Sequence, residues 1–162
     1  MSVTDIDGAR FRSVLGRFAT GVVAVTAIGP GGRPAGLAAN SFTSVSLDPP
    51  LVSFCVAHTS TSWPRLREAE RLCVNILSRS QEEVCRRLAA KGGDKFAGLE
   101  WTLSPGGGPV LEGALAWIEC AVEAEIPAGD HRIVVARVHH LDKHHDGDPL
   151  LFYRGAYGRF DG

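Results

Sequence analysis

Between residues 117 and 126 the chain reads WIECAVEAEI, where Ile118, Cys120, Val122, Ala124 and Ile126 alternate with Glu119, Glu123 and Glu125. A period of two sends successive side chains to opposite faces of an extended strand. The segment therefore reads as a half-buried antiparallel strand with one apolar and one acidic face. Such a strand needs neighbours, and the rest of the chain offers them. HRIVVARVHHL (131–141) follows after the turn PAGD, and LLFYRGAYGRF (150–160) closes the chain. Upstream, TGVVAVTAI (20–28), LVSFCVA (51–57) and RLCVNIL (71–77) are apolar and rich in β-branched residues, and PGGRP (30–34) turns the first of them into a hairpin with 35–39.

Helical signals are few. Phe11, Val14, Leu15 and Phe18 fall at i, i+3, i+4 and i+7, which predicts an amphipathic opening helix. Pro64 suggests a short helix starting near Ser62, and Ser80 with Glu83 forms a capping-box pattern ahead of Val84, Cys85 and Leu88. The glycine-rich stretch 91–109 reads as a loop that is irregular in its middle. Short strands, tight turns and scarce helices predict a mainly β protein, a small antiparallel barrel or sandwich spanning 1–162 as one domain. The strands do not alternate with long helices, so any nucleotide must be bound without a Rossmann sheet.

Charge excludes other classes. Lys and Arg number 17 against 18 Asp and Glu, a net charge of −1, so no basic field points to nucleic acid. Runs such as GVVAVTAIG fall far short of the ~20 residues of a membrane span, and the N-terminus lacks the apolar run of a signal peptide, so a cytoplasmic protein is expected. The four cysteines show neither CxxC spacing nor a histidine at ligand spacing, and read as structural thiols. Glycine-rich phosphate loops, GxSxG and HExxH are absent from the sequence.

Three stretches carry candidate chemistry. AGLAANSFTSVSLDPP (35–50) is small and hydroxyl-rich, with Asp48 its one charge. Ser60, Thr61 and Ser62 precede a predicted helix start and read equally as an anion site or a plain N-cap. His131, in Gly129-Asp130-His131, reads on spacing as a turn residue. Pro105-Gly-Gly-Gly-Pro109 reads as a loop rather than a phosphate cradle. His139 and His140 would point to opposite faces of a strand, and His144-His145 with Asp142, Asp146 and Asp148 read as a solvated turn, so no metal site is expected.

Taken together and in order, RFATGVVAVTA, GLAANSFTSVSLDPPLVSFCV, STSWPRL, DKFAG, GDHRIVVARV and LLFYRGAYG resemble the flavin reductase family, the reductase components of two-component flavin-dependent monooxygenases. The resemblance spans roughly Phe11 to Gly158. It implies an FMN-binding split β-barrel, antiparallel and Greek-key-like, usually a homodimer with flavin near the subunit interface. It implies hydride transfer from NADH, or in some members NADPH, to FMN or FAD, which then serves a partner monooxygenase. By position, Ala38, Ala39, Asn40 and Ser41 match the segment along the flavin ring and ribityl chain, and Ser46 a further hydroxyl near the ring. Ser60, Thr61 and Ser62 match the phosphate loop, and Lys95 and Phe96 the mid-chain KF pair. His131 matches the histidine beside the nicotinamide, with Arg154 and Tyr157 as dinucleotide contacts. Two alternatives share that fold: a non-catalytic flavin-binding protein, and a relative that uses bound flavin to reduce a ferric complex or a corrinoid.

Overall fold

The computed structural model of the chain describes residues 5–161. Helix α1 (Gly8–Leu15) opens on Asp7, whose carboxylate accepts from the Ala9 amide at 2.9 Å. Then come β1 (Thr20–Gly21), β2 (Val23–Ile28), β3 (Pro34–Ala39), β4 (Thr43–Leu47), β5 (Pro50–Ala57) and the one-turn helix α2 (Trp63–Leu66). β6 (Leu72–Ile76), α3 (Glu82–Ala89), β7 (Trp101–Leu103) and β8 (Pro109–Leu111) lead to two long strands, β9 (Ala116–Ala128) and β10 (His131–Lys143). β11 (Leu151–Tyr153) and β12 (Ala156–Gly158) form the closing hairpin.

Seven strands pair antiparallel in the order β3-β2-β6-β9-β10-β5-β4. The sheet curls until its margins meet. Ser41, just past β3, accepts from the Cys55 amide at 2.9 Å and donates to the Cys55 carbonyl at 3.4 Å, tying β3 to β5. Inside the curl lie Val25, Leu37, Phe54, Val56, Leu66, Leu72, Val74 and Val134. On its outer side Val22, Ala24, Leu77, Cys85, Leu88, Leu111 and Leu150 form a second core beneath α3 and β8. β2 feeds one core with Val23 and Val25 and the other with Ala24. A strand covered on both faces has no use for polar alternation, which explains the unbroken run in TGVVAVTAI. The run is nevertheless broken at Val22, because β1 pairs with β11 rather than continuing β2.

Inside this packing a small polar network is fully satisfied. Thr26 donates to the Pro109 carbonyl at 2.7 Å, and the Asn75 side-chain oxygen accepts from the Leu111 amide at 2.9 Å, pinning β8 over the sheet. Buried groups of this kind cost stability unless paired, and their pairing fixes register.

Several expectations change. The stretch 91–109 is not irregular in its middle, where β7 lies and pairs with β8 at the end of the stretch. The capping box lies two residues earlier than expected: Ser78 and Gln81 form it, starting a 3₁₀ turn that runs into α3. The acidic face of 117–126 is not solvated at its start. Glu119 is fully buried, accepts from Ser104 Oγ at 2.7 Å and from the Gly106 amide, and has Arg71 Nε at 3.3 Å. A Cβ at Gly106 would fall 2.6 Å from the Glu119 carboxylate, so the glycine run is required for the loop to close over that charge. Beyond Cys120, β9 has lost β6 as a neighbour and pairs only with β10, so Ala124 and Ile126 are exposed. Glu123, Glu125 and Pro127 on this margin discourage pairing with another strand.

Candidate active-site cleft

Where the sheet margins meet at Ser41, a cleft of about 390 Å³ opens. The end of β3 supplies Ala38 and Ala39, followed by Asn40 and Ser41; the end of β5 supplies Cys55 and Ala57. Small side chains here leave a flat wall on which backbone can approach a ligand closely. Ser41 is committed to closing the barrel, so it shapes the wall, while Asn40 carries the wall's side-chain amide.

The loop 58–62 forms the next side and is held from several directions. The His58 amide donates to the Asp130 carbonyl at 3.0 Å, and Ser60 Oγ accepts from the Trp63 amide at 3.2 Å. Trp63 packs edge-on against Phe54 at 5.8 Å, and its indole N–H donates to Glu125 at 2.8 Å. Arg67 pairs with the same carboxylate at 2.9 Å. The cap reading holds for Ser60, and all three residues of the triplet line the cleft. Because α2 is a single turn, its dipole is slight, and the local positive charge comes from side chains. Lys95 Nζ donates to Ser62 Oγ and to the Leu88 carbonyl, each at 3.1 Å. Burial, with the neighbouring Arg65 charge, holds the Lys95 ammonium below its ordinary pKa. An adjoining hollow of about 870 Å³ shares Thr61, Ser62, Lys91 and Lys95, and adds Arg33 and Arg65.

His131 stands on the rim as the first residue of β10, opposite Ala57. Its Nδ1 lies 2.7 Å from Asp130 Oδ1, which orients the ring. The hydrogen bond and the charge of His131 hold the Asp130 carboxyl below its usual range. The two-residue turn Gly129-Asp130, with Gly129 at φ 63°, sets His131 at the cleft rim while Asp130 stays in solvent.

Nine of the expected residues therefore converge from separate segments: Ala38, Ala39, Asn40, Ser41, Ser60, Thr61, Ser62, Lys95 and His131. Others do not line the cleft. Phe96 is buried in the outer core against Gly36 and borders the adjoining hollow. Ser46 sits on β4 opposite Leu51. Tyr157 packs on Phe152, with its hydroxyl 3.2 Å from Cys85 Sγ; burial and that bond raise it to about 12. Arg154, at φ 54°, makes the closing turn with Gly155, its guanidinium over the Tyr153 ring. Sequence reasoning missed Cys55, Thr59, Lys91, Arg33 and Arg65. Of these, Cys55 and Arg65 lie inside segments that carry the resemblance, LVSFCV and STSWPRL, where they looked like an ordinary strand thiol and an ordinary helix residue. The thiols of Cys73 and Cys120 are pushed up to about 12 by burial, as structural thiols should be, whereas Cys55 is half-buried in the cleft wall.

The family model for the flavin reductase like domain matches residues 15–161. The chain belongs to the flavin reductase family. Among curated relatives, a flavin reductase of Pseudomonas putida is 51% identical over 155 residues, covering 96% of this chain and 91% of its own. The reductase subunit HsaB of a flavin-dependent monooxygenase from Rhodococcus jostii is 47% identical, covering 94% and 77%. Among solved structures, nitrilotriacetate monooxygenase component B from Mycobacterium thermoresistibile superposes with a TM-score of 0.91 at 43% identity, over 94% of this chain and 86% of that one. An NADH:FAD oxidoreductase of Streptomyces globisporus, solved with NAD and FAD fragments, gives a TM-score of 0.89 at 36% identity over 99% and 97%. The antiparallel, margin-joined sheet is thus the split β-barrel of flavin reductases. No helix among the described residues is long and apolar enough to cross a membrane.

Proposed function

We propose that this protein is an NAD(P)H:flavin oxidoreductase, with NADH preferred, that supplies reduced FMN or FAD to a partner flavin-dependent monooxygenase. The observation that carries the reading is the convergence in one cleft of an uncharged small-residue wall, a hydroxyl-and-lysine corner and a rim histidine, in a chain of the flavin reductase family.

The donor set fits a flavin phosphate ester. Thr61, Ser62 and Lys95 offer hydroxyls and a partly desolvated ammonium, a pairing that favours an anion and gains strength from burial. A flat apolar ring suits the Ala38–Ala39 wall, and the cleft volume lies within the range of ~300–1,000 Å³ usual for cofactor sites. When bound, flavin supplies the hydride-accepting chemistry; the protein supplies alignment and exclusion of water. In this site Asn40 would hydrogen-bond the ring's polar edge, and Lys95 with Ser62 would hold the phosphate end. His131, steadied by Asp130, would position the nicotinamide from the rim. No nucleophile or metal is required for such a transfer. Ser46, Arg154 and Tyr157 do not line the cleft, so the proposed site omits them, and Phe96 supports the Lys95 loop from behind.

The working form proposed is a homodimer of single-domain chains in the cytoplasm. Its support is the surface: α1 buries none of its residues, Phe18 is 74% exposed and Leu47 is 93% exposed. Aromatic and aliphatic side chains left so open mark an interaction surface. The test of the activity is to mix the protein with NADH and free FMN or FAD and follow nicotinamide oxidation. Turnover saturable in added flavin is expected. Absence of turnover with both flavins overturns the proposal.

A further inference from the structure

The chain after β10 escapes the rule that separates neighbouring side chains. β10 ends at Lys143, and the amides of His144 and His145 both donate to the Leu115 carbonyl, at 2.8 and 3.2 Å. This folds the two residues back together, with ring centroids 4.4 Å apart, instead of sending them to opposite faces. Glu112 comes from a different element, just past β8, and its carboxylate lies 3.4 Å from His145 Nε2. One ligand atom from each of Glu112, His144 and His145 lies within 4.8 Å of the others.

We propose that Glu112, His144 and His145 form a binding site for one divalent ion of the zinc class. Two imidazoles and one carboxylate suit zinc and its first-row neighbours, whereas calcium and magnesium prefer all-oxygen sets. The backbone under the ligands is already fixed. The Glu112 amide donates to the Glu100 carbonyl at 2.9 Å, and its carbonyl accepts from Gln81 Nε2 at 2.9 Å. Leu115, which anchors both histidines, donates in turn to the Ile76 carbonyl at 2.8 Å. The side chains themselves are exposed and can turn, so drawing the donors in to the ~2.0–2.1 Å of zinc–nitrogen bonds needs only rotation about side-chain bonds. Glu112 and His145 border a cleft of about 410 Å³ with Ser78, Arg79, Ser80 and Asp148, from which solvent would supply a fourth ligand to an ion held by three. The sequence pattern hid the site because Glu112 lies more than thirty residues from the histidines. The two histidines themselves read as part of a solvated turn.

The test is equilibrium dialysis of the tag-free protein against zinc chloride in chelator-free buffer. One ion per chain is expected. The pair H144A/H145A should lose that binding, and E112Q, which keeps the shape of the side chain, should weaken it by about ten-fold or more. No zinc held by the wild-type chain at dialysis equilibrium overturns the assignment. Unchanged stoichiometry in H144A/H145A overturns it as well, because the ion would then be held elsewhere, for example at Cys55. Unchanged affinity in E112Q removes Glu112 and with it the three-ligand site. None of the three residues lines the proposed flavin cleft, so NADH oxidation by these variants should match the wild type.

Discussion

Helices α1 and α3 are both eight residues long and both carry apolar side chains on one stripe, yet they live in different surroundings. α3 buries Cys85 and Leu88 against the outer face of β2 and β3, and its end lines the cleft through Leu88, Ala89 and Ala90. α1 buries nothing; Phe11, Val14, Leu15 and Phe18 all face outward. An apolar stripe gains free energy only when something covers it. For α3 the cover lies inside the chain; for α1, none of whose residues is buried, the proposed homodimer would supply it. Substitutions in the two regions should therefore be read by different instruments: unfolding for one, association and turnover for the other.

The sharpest break of that contrast is Leu88→Ala. Removing a fully buried leucine next to the cleft should cost about 3 kcal/mol in urea unfolding, by lost burial and the cavity left behind. A change of only a few tenths would mean that α3 is as loosely held as α1. The mirror experiment is the pair F11S/F18S. It should leave the unfolding of the separated chain unaltered but weaken self-association by about a hundred-fold, close to 3 kcal/mol, as loss of aromatic anchors does at interfaces. Sedimentation at micromolar concentration reads this directly. If variant and wild type sediment alike, α1 does not make the contact.

Glu119→Gln extends the contrast to charge held within the chain. It should cost about 2 kcal/mol at pH 7, since the loop 104–108 and Arg71 lose their buried anion. Burial alone would raise this carboxyl. The hydrogen bonds from Ser104 and Gly106, with the nearby charges of His140 and Arg71, outweigh it and hold the pKa below the ordinary glutamate value. A depressed folded pKa contributes stability that is full above the unfolded value of ~4.3 and is lost as pH falls through the folded one. The difference between wild type and E119Q, measured by unfolding at neutral pH and again at acid pH, should therefore shrink below about pH 4. A constant difference would refute the charge account. The smallest effect expected is functional. His131→Ala should raise the KM for NADH by about ten-fold, near 1.4 kcal/mol, while the flavin dissociation constant stays within about two-fold. Equal losses in both would take His131 off the nicotinamide side.

The strands were legible because β-branched runs and turn residues are local signals, and the margins of β2, β5, β6, β9 and β10 lie close to where those signals put them. What the residues could not declare is what covers each face. WIECAVEAEI alternates faithfully, but its acidic side is roofed at Glu119 by a loop that looked merely glycine-rich, and its apolar side is bare at Ile126 once β6 ends. Phe11 and Phe18 have the spacing of a core helix without the core. In the cleft, the hydroxyl and small-residue segments stood out by composition and family resemblance. Arg33 and Lys91 did not, since a basic residue on a loop looks the same whether it faces solvent or a hollow.

The Ser41 bridge carries a further consequence. One hydroxyl seals the barrel seam and also belongs to the wall against which a ring would rest, so the seam and the binding wall are a single mechanical element. The amide of Cys55, donated to that hydroxyl, is then a built-in reporter. Its deuterium exchange should slow when the cleft is filled and quicken when the cleft empties, giving a residue-sized gauge of occupancy that needs no optical signal from the ligand.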